Sequence, residues 1–107
     1  MTNVLEVHTT IDSVESAQEI AMVIVGKRLA ACVQISGPIT STYWWQGKIE
    51  QAQEWVCTAK TREDLYPALE LAIREMHTYD EPEILATSVV AGSAGYLDWI
   101  KRETSAE

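Results

Sequence analysis

Two histidines are the residues of this chain best suited to bind a metal ion. His8 lies in an alternating run that predicts a β-strand, and His77 closes a helical pattern. Imidazole binds borderline ions such as Cu²⁺, and the thioether of Met76, beside His77, binds softer ions. Each histidine also has an ordinary explanation, His77 as a cation at a helix C-terminus and His8 as a strand surface residue. Two imidazoles alone do not complete a structural site, so both interpretations stay open.

A second group of polar residues surrounds Pro82. Asp80, Glu81 and Glu83 offer carboxylates for a cation or for acid–base work, but such loops are usually solvated, and that interpretation is favoured. No nucleophile motif or phosphate-binding glycine pattern accompanies them. We therefore expect a protein that is not an enzyme.

The elements that position these residues are organised around a hairpin. A β-branched and aromatic run, ending in Tyr43, Trp44 and Trp45, meets a turn at Gln46-Gly47 and a second strand-like run follows. Each arm has about 13 to 15 residues and reaches about 45 Å at about 3.3 Å per residue. A compact domain of this size has a radius of gyration of about 13 Å. The hairpin must overhang its domain, and we expect its aromatic residues to form a subunit interface.

Periodicity and capping signals place the other elements in one domain, residues 1–107. The predicted elements are a strand at 3–11, a helix capped by Asp12 or Ser13 that runs to about Ala30, a strand at 32–45 interrupted at Gly37-Pro38, a strand at 49–60, a helix capped by Thr61 that ends near His77, a strand at 83–91 and a helix capped by Ser93. This β-α-β-β-α-β order with a C-terminal helix predicts an α+β, ferredoxin-like sandwich. Its sheet order would be 4-1-3-2, with the two main helices on one face and the other face bare. His8 and His77 would then approach the same edge of the domain.

Composition restricts the partners and the compartment. The net charge is −8, from 8 basic and 16 acidic side chains, which argues against nucleic acid and anionic membranes as partners. No apolar run is long enough to span a bilayer, and the first residues carry no signal-peptide pattern, so we expect a cytoplasmic protein. In the predicted hairpin Cys32 faces the neighbourhood of Thr61 rather than Cys57, so we expect two reduced thiols.

Five stretches distributed along essentially the whole chain resemble one known family in their order and their spacing. They are residues 27–33 and 60–61, the string Tyr43-Trp44-Trp45-Gln46-Gly47-Lys48-Ile49-Glu50 within residues 41–50, the string His77-Thr78-Tyr79-Asp80-Glu81-Pro82-Glu83-Ile84, and residues 96–99. The pattern is similar to that of the CutA divalent-cation tolerance proteins, and the string around the hairpin turn is highly specific.

The resemblance implies a homotrimer in which the long hairpins extend the sheets of neighbouring subunits. It also implies a role in tolerance to divalent metals, with copper binding by a ligand set that corresponds to His8, Met76 and His77. The family pattern has cysteine at the first of these positions and histidine at the second. Both replacements can bind copper, whereas the affinity and the geometry are not determined by the sequence. No downstream partner is indicated.

Two alternatives remain beside the metal hypothesis. The fold is similar to that of the trimeric nitrogen-regulatory PII proteins, which sense small molecules in clefts between subunits. This similarity implies a ligand cleft that uses Glu50, Lys60, Tyr79 and Glu83. The other alternative is a purely structural trimer with adventitious metal binding.

Overall fold

The computed structural model describes residues 2–105. The elements are β1 (Val4–Ile11), α1 (Val14–Gly26), β2 (Cys32–Trp45), β3 (Lys48–Arg62), a 3₁₀ turn (Glu63–Leu65), α2 (Tyr66–Met76), β4 (Ile84–Ser88) and α3 (Ala94–Glu103). The strands form one antiparallel sheet in the order β2-β3-β1-β4. The α+β, ferredoxin-like fold and the predicted sheet order are confirmed.

The hydrophobic core lies between one face of the sheet and the helices α1 and α2. Alternation along β1 directs Leu5, Val7 and Ile11 to this face, where they pack in one cluster with buried residues of the two helices. Ser13 is the N-cap of α1, and its hydroxyl accepts a hydrogen bond from the Ser16 N–H. Of the two predicted caps, Ser13 rather than Asp12 begins the helix.

The hairpin turns where the sequence predicts. Gln46 and Gly47 have φ values of 50° and 78°, the signs required at both central residues of a two-residue type I′ turn. The paired arms place Tyr43 opposite Glu50. They also lengthen the molecule, whose principal extents are 45 × 25 × 22 Å. The long hairpin therefore projects beyond the packed core.

The two cysteines lie in different surroundings and form no disulfide. The register of the hairpin shifts between Ser36 and Ile39. On the side of this shift away from the turn, Cys32 pairs with Lys60. Cys57 is buried in the core, and this burial raises the pKa of its thiol from 9.0 to about 11. The prediction of two free thiols is confirmed.

Gly37 in the irregular part of β2 offers a test of the local packing. Its φ is 146°, and a Cβ added there would lie 2.7 Å from Cδ1 of Trp55 and 3.0 Å from the carbonyl oxygen of Glu54. We expect Gly37→Ala to lower the free energy of unfolding by about 1–3 kcal/mol, measured by urea denaturation. Gly26→Ala is the control, because a Cβ at the end of α1 meets nothing within 4 Å. Equal effects of the two substitutions would contradict this account.

The first helix ends earlier than predicted, at Gly26 rather than Ala30. Arg28 adopts a φ of 60°, and the Leu29 N–H donates to the Ile24 carbonyl at 2.9 Å. These features form a Schellman motif in which arginine takes the position usual for glycine. The Arg28 guanidinium donates to the carboxylate and carbonyl of Glu103 at 3.0 Å each, which holds this residue in place.

The start of the second main helix also differs from the prediction. Thr61 is a buried residue within β3, and its hydroxyl donates to the Leu29 carbonyl at 2.6 Å instead of capping a helix. A 3₁₀ turn follows, and α2 begins at Tyr66 with Pro67 in its first turn. The helix ends at Met76, which agrees with the predicted end near His77. The last strand is shorter than predicted, because only five residues of β4 pair with β1.

The second face of the sheet is partly covered, which corrects the prediction that it is bare. Arg62 lies opposite Val4 and donates to the Thr104 carbonyl at the end of α3, at 3.2 Å. Farther along α3, Tyr96 accepts a hydrogen bond from Lys60 at 3.4 Å. The C-terminal helix therefore packs over the end of the sheet that contains Val4. The local pattern did not reveal this contact, because it joins segments distant in the chain.

Candidate functional site

The imidazole of His77 is held by two backbone groups. Its Nε2 lies 2.8 Å from the Thr10 carbonyl oxygen, and its Nδ1 accepts from the Tyr79 N–H at 3.1 Å. A carbonyl can only accept and an amide N–H can only donate, so the proton is on Nε2. Thr10 lies two residues beyond His8 along β1, so its contact with His77 shows that α2 and β1 end at the same edge of the domain, as predicted. His77 ties these two ends together.

Tyr79 continues this network to a buried carboxylate. Its hydroxyl donates to Oε2 of Glu54 at 2.7 Å, and its ring lies 4.7 Å from the His77 ring, tilted by 59°. Glu54, on β3, is only 6% exposed. Burial of the hydroxyl, followed by the contact with Glu54, raises the pKa of Tyr79. A neutral tyrosine therefore acts as the donor to a buried carboxylate.

An open cleft lies between the hairpin and the loop that follows α2. We call it the hairpin cleft; its volume is about 940 Å³. It is lined by the aromatic residues Tyr43, Trp44, Trp45 and Tyr79, the carboxylates Glu50, Glu54, Asp80, Glu81 and Glu83, and the hydroxyl residues Thr10, Ser41, Thr42 and Thr78. Three of the four predicted cleft residues, Glu50, Tyr79 and Glu83, therefore lie together. Of the loop carboxylates, Glu81 also pairs with Arg74 at 3.1 Å.

The fourth predicted cleft residue, Lys60, is not among the residues that line this cleft. Its ammonium lies 5.3 Å from the centroid of the Tyr96 ring and donates to the Tyr96 hydroxyl. The same hydroxyl lies 3.7 Å from the sulfur of Cys32, the strand neighbour of Lys60. Within one subunit Lys60 thus belongs to a separate cluster beneath α3.

The three predicted metal ligands differ in how free they are to bind an ion. Nδ1 of His8 lies 3.2 Å from the Thr58 hydroxyl, and its Nε2 has no hydrogen-bond partner among residues 2–105. Both nitrogens of His77 are occupied, and Met76 packs against the hydrophobic core. The described part of the chain contains no group of three or more His, Cys, Asp or Glu residues placed to hold a metal. The ligand set His8, Met76 and His77 stays a prediction, and one subunit does not preassemble it.

Glu54 is the site residue that the sequence reasoning missed. It ends the polar part of the second hairpin arm, directly before the apolar residues Trp55 and Val56. A carboxylate in a strand that enters the core requires a hydrogen-bond or ionic partner, so its position in the sequence indicates a buried polar contact. The partner, Tyr79, is 25 residues away.

Substitution of Tyr79 by phenylalanine tests the contact with Glu54. We expect Tyr79→Phe to lower the free energy of unfolding by about 1–3 kcal/mol at pH 7, because a buried carboxylate loses its donor. Urea denaturation measures the change. In a Glu54→Gln background the same substitution is expected to have a smaller effect, and equal effects in the two backgrounds would contradict the contact.

The same variant makes a prediction for alkaline pH. The pKa of Tyr79 is raised in the folded state above its usual value of 10.0, so the folded chain keeps a proton that the unfolded chain loses. The free energy of unfolding should therefore fall as pH rises above about 10, by at most about 1.4 kcal/mol per pH unit for this group. The raised pKa of Cys57 lowers the free energy of unfolding in the same way as pH rises above about 9. The profile of Tyr79→Phe should be flatter than that of the unsubstituted protein, and parallel profiles would contradict the shift.

Residues 5–103 match the family described as "CutA1 divalent ion tolerance protein". The chain belongs to this family. It is 40% identical over 95 residues to the divalent-cation tolerance protein CutA of Thermus thermophilus, covering 89% of this chain and 92% of that protein. It is 39% identical over 98 residues to the chloroplastic protein CutA 1 of rice, covering 92% of this chain but only 55% of the rice protein.

Solved structures of the CutA family agree with the fold. The crystal structure of CutA from Xylella fastidiosa matches with a TM-score of 0.94 at 38% identity, covering 96% of this chain and 99% of that chain. The family assignment that the string around the hairpin turn predicts is confirmed. The family description and the name of the Thermus thermophilus relative both refer to tolerance of divalent cations in general.

Proposed function

We propose that this protein provides divalent-cation tolerance as a homotrimer that weakly binds copper or a similar divalent ion. The observation that carries the tolerance role is the family match across residues 5–103. The family description and the name of the Thermus thermophilus relative describe tolerance rather than an enzymatic activity, and a non-catalytic role is part of the proposal. The trimer is supported by the exposed aromatic residues of the hairpin, which a single subunit leaves uncovered.

The proposed metal contact is centred on His8. Its Nε2 is free to bind an ion without breaking a hydrogen bond to another described residue. Binding at His77 would require the loss of its bond to the Thr10 carbonyl or to the Tyr79 N–H. Binding through Met76 would compete with the packing of its side chain against the hydrophobic core. We therefore expect weak binding, with His8 as the main ligand and His77 and Met76 as secondary ones.

A calorimetric titration with Cu²⁺ tests this contact. We expect His8→Ala to weaken binding by about tenfold or more, equivalent to at least about 1.4 kcal/mol. His8→Ala/His77→Ala should abolish what remains. Circular dichroism and sedimentation must show that each variant keeps its fold and assembly. Unchanged affinity in the double variant would eliminate this site.

The second candidate function is that of a small-molecule sensor of the PII type. The observation that favours it is the hairpin cleft, in which Glu50, Tyr79 and Glu83 lie together with exposed aromatic rings. This function predicts that a small molecule co-purifies with the protein. Mass spectrometry of the supernatant after denaturation would detect it, and a protein that stays free of ligand after exposure to cell extract would count against the sensor.

The compartment belongs to the proposal as well. No helix among residues 2–105 is long and apolar enough to cross a membrane. We propose a cytoplasmic location, while the relative from rice is named as chloroplastic. Microscopy of the tagged protein in its own host would test the location.

A further inference from the structure

We propose that Cys32 is a reactive thiol that a hydroperoxide oxidises to a sulfenic acid, with Tyr96 and Lys60 as its assisting groups. This modification site is independent of the metal contact proposed at His8. Three features support it: the exposure of the thiol, the hydroxyl and ammonium groups beside it, and the contrast with Cys57.

Cys32 lies where a small reagent reaches it. It is the first residue of β2 and is partly exposed, whereas Trp44 and Trp45, which are assigned to the subunit interface, end the same strand. Cys32 is also not among the residues that line the hairpin cleft. A peroxide is small enough to react with an accessible thiol that lies outside any deep cleft.

A hydroxyl group and an ammonium group lie beside the sulfur. The Tyr96 hydroxyl oxygen is 3.7 Å from Sγ of Cys32, and Nζ of Lys60 donates to that oxygen at 3.4 Å. An ammonium group can only donate, so the Tyr96 oxygen accepts from Lys60 and keeps its own proton for the sulfur. A thiolate can only accept, and it is the form of cysteine that attacks a peroxide. The two donors are therefore oriented to assist the reactive form.

The charge of Lys60 is available to this cluster. In the described part of the chain Lys60 forms no ion pair with an acidic side chain, although Glu6 is its strand partner on β1. Its ammonium lies 5.3 Å from the centroid of the Tyr96 ring, which stacks on Trp99 at 5.5 Å with an angle of 26° between the rings. Strand β3 and helix α3 thus hold the two assisting groups in fixed positions.

Cys57 provides an internal reference for this reactivity. It is 2% exposed, its thiol donates to the Ala17 carbonyl at 3.8 Å, and burial raises its pKa to about 11. A buried thiol that keeps its proton is inert at neutral pH. The strand partner of Cys57 is Ile35 rather than Cys32, so within one subunit an oxidised Cys32 has no neighbouring thiol with which to form a disulfide.

The hydroperoxide is the oxidant of the step. The thiolate sulfur attacks its terminal oxygen, and an S–O bond forms while the O–O bond breaks. The second oxygen leaves with the electron pair and takes a proton that Tyr96 donates. Tyr96 then recovers from water the proton that the thiol released, while the charge of Lys60 stabilises the transient phenolate. The sum is Cys–SH + ROOH → Cys–SOH + ROH, in which the sulfur is oxidised and the peroxide is reduced.

The test is exposure of the full chain, in its native assembly, to hydrogen peroxide, with dimedone to trap the sulfenic acid and mass spectrometry to locate it. We expect the adduct on Cys32 and none on Cys57. Lys60→Met and Tyr96→Phe should each slow the oxidation of Cys32 by about tenfold or more. Lys27→Met is the matched control, because it removes the same charge at the exposed end of α1, and it should leave the rate unchanged.

A second reagent separates assistance from access. Iodide leaves without a proton, so Tyr96→Phe should slow the alkylation of Cys32 by iodoacetamide less than it slows the oxidation. Equal slowing of the two reactions would overturn the proposal, because Tyr96 would then control only access to the sulfur. An equal effect of Lys27→Met and Lys60→Met, or an adduct that forms on Cys57 as fast as on Cys32, would overturn it as well. Absence of the adduct from the native assembly would also overturn it, whether α3 or a second copy covers the thiol.

Discussion

Replacing Trp44 and Trp45 together by glutamate is expected to convert the proposed trimer into monomers. Both indoles lie near the tip of the projecting hairpin, and the neighbouring Ile49 is 64% exposed as well. Burying the exposed part of each indole contributes about 2–4 kcal/mol to association at about 25 cal/mol per Å². Two charges in the same place would add a desolvation penalty to this loss.

Sedimentation equilibrium at micromolar concentration measures the outcome. The unsubstituted chain should sediment with three times the mass of one subunit, and the double variant with the mass of one. Met22→Glu is the matched control, because Met22 is 77% exposed on α1, away from the hairpin. A monomeric unsubstituted protein, or a double variant that stays trimeric, would refute the role of the hairpin.

The second large effect is expected at His77. We predict that His77→Ala lowers the free energy of unfolding by about 2–4 kcal/mol. The Thr10 carbonyl and the Tyr79 N–H lose the imidazole as their hydrogen-bond partner, and the contact between the His77 and Tyr79 rings disappears. Urea denaturation of the two histidine variants provides an internal comparison. His8→Ala removes only a 3.2 Å contact with the Thr58 hydroxyl and should change stability by less than about 1 kcal/mol.

This contrast bears on how a metal-binding experiment is interpreted. A loss of copper binding in His77→Ala alone is consistent with a disturbed edge of the domain as well as with a lost ligand. A loss of copper binding in His8→Ala, without a change in the free energy of unfolding, indicates that the His8 imidazole coordinates the ion. If the two single variants were equally stable, the structural role assigned to His77 would be wrong.

Much of the fold was predictable because its signals are local. Alternation identified β1, and Gln46-Gly47 identified the turn because only a few residue types tolerate positive φ at both central positions. Once the turn is known, strand pairing follows from the chain geometry, which placed Cys32 away from Cys57. The order of elements then restricted the sheet to very few topologies, since crossovers between parallel strands are right-handed.

The errors at the helix boundaries have a common cause. Arg28 ends α1 in a conformation usual for glycine because Glu103, 75 residues away, holds its guanidinium. The local sequence predicts Thr61 as a helix cap, yet Thr61 lies within β3 and its hydroxyl donates to the Leu29 carbonyl. In each case a contact from a distant segment outweighed a local preference of about 1 kcal/mol.

The candidate site divides in the same way. The sequence by itself determined the family, the sheet and its order, the projecting aromatic hairpin, and the approach of His77 to the end of the first strand. Only the tertiary structure decided that both nitrogens of His77 are occupied, that Glu54 is buried against Tyr79, and that Lys60 lies under α3. Periodicity reports which face a residue occupies, whereas the partner of a polar atom depends on which distant segments pack against that face.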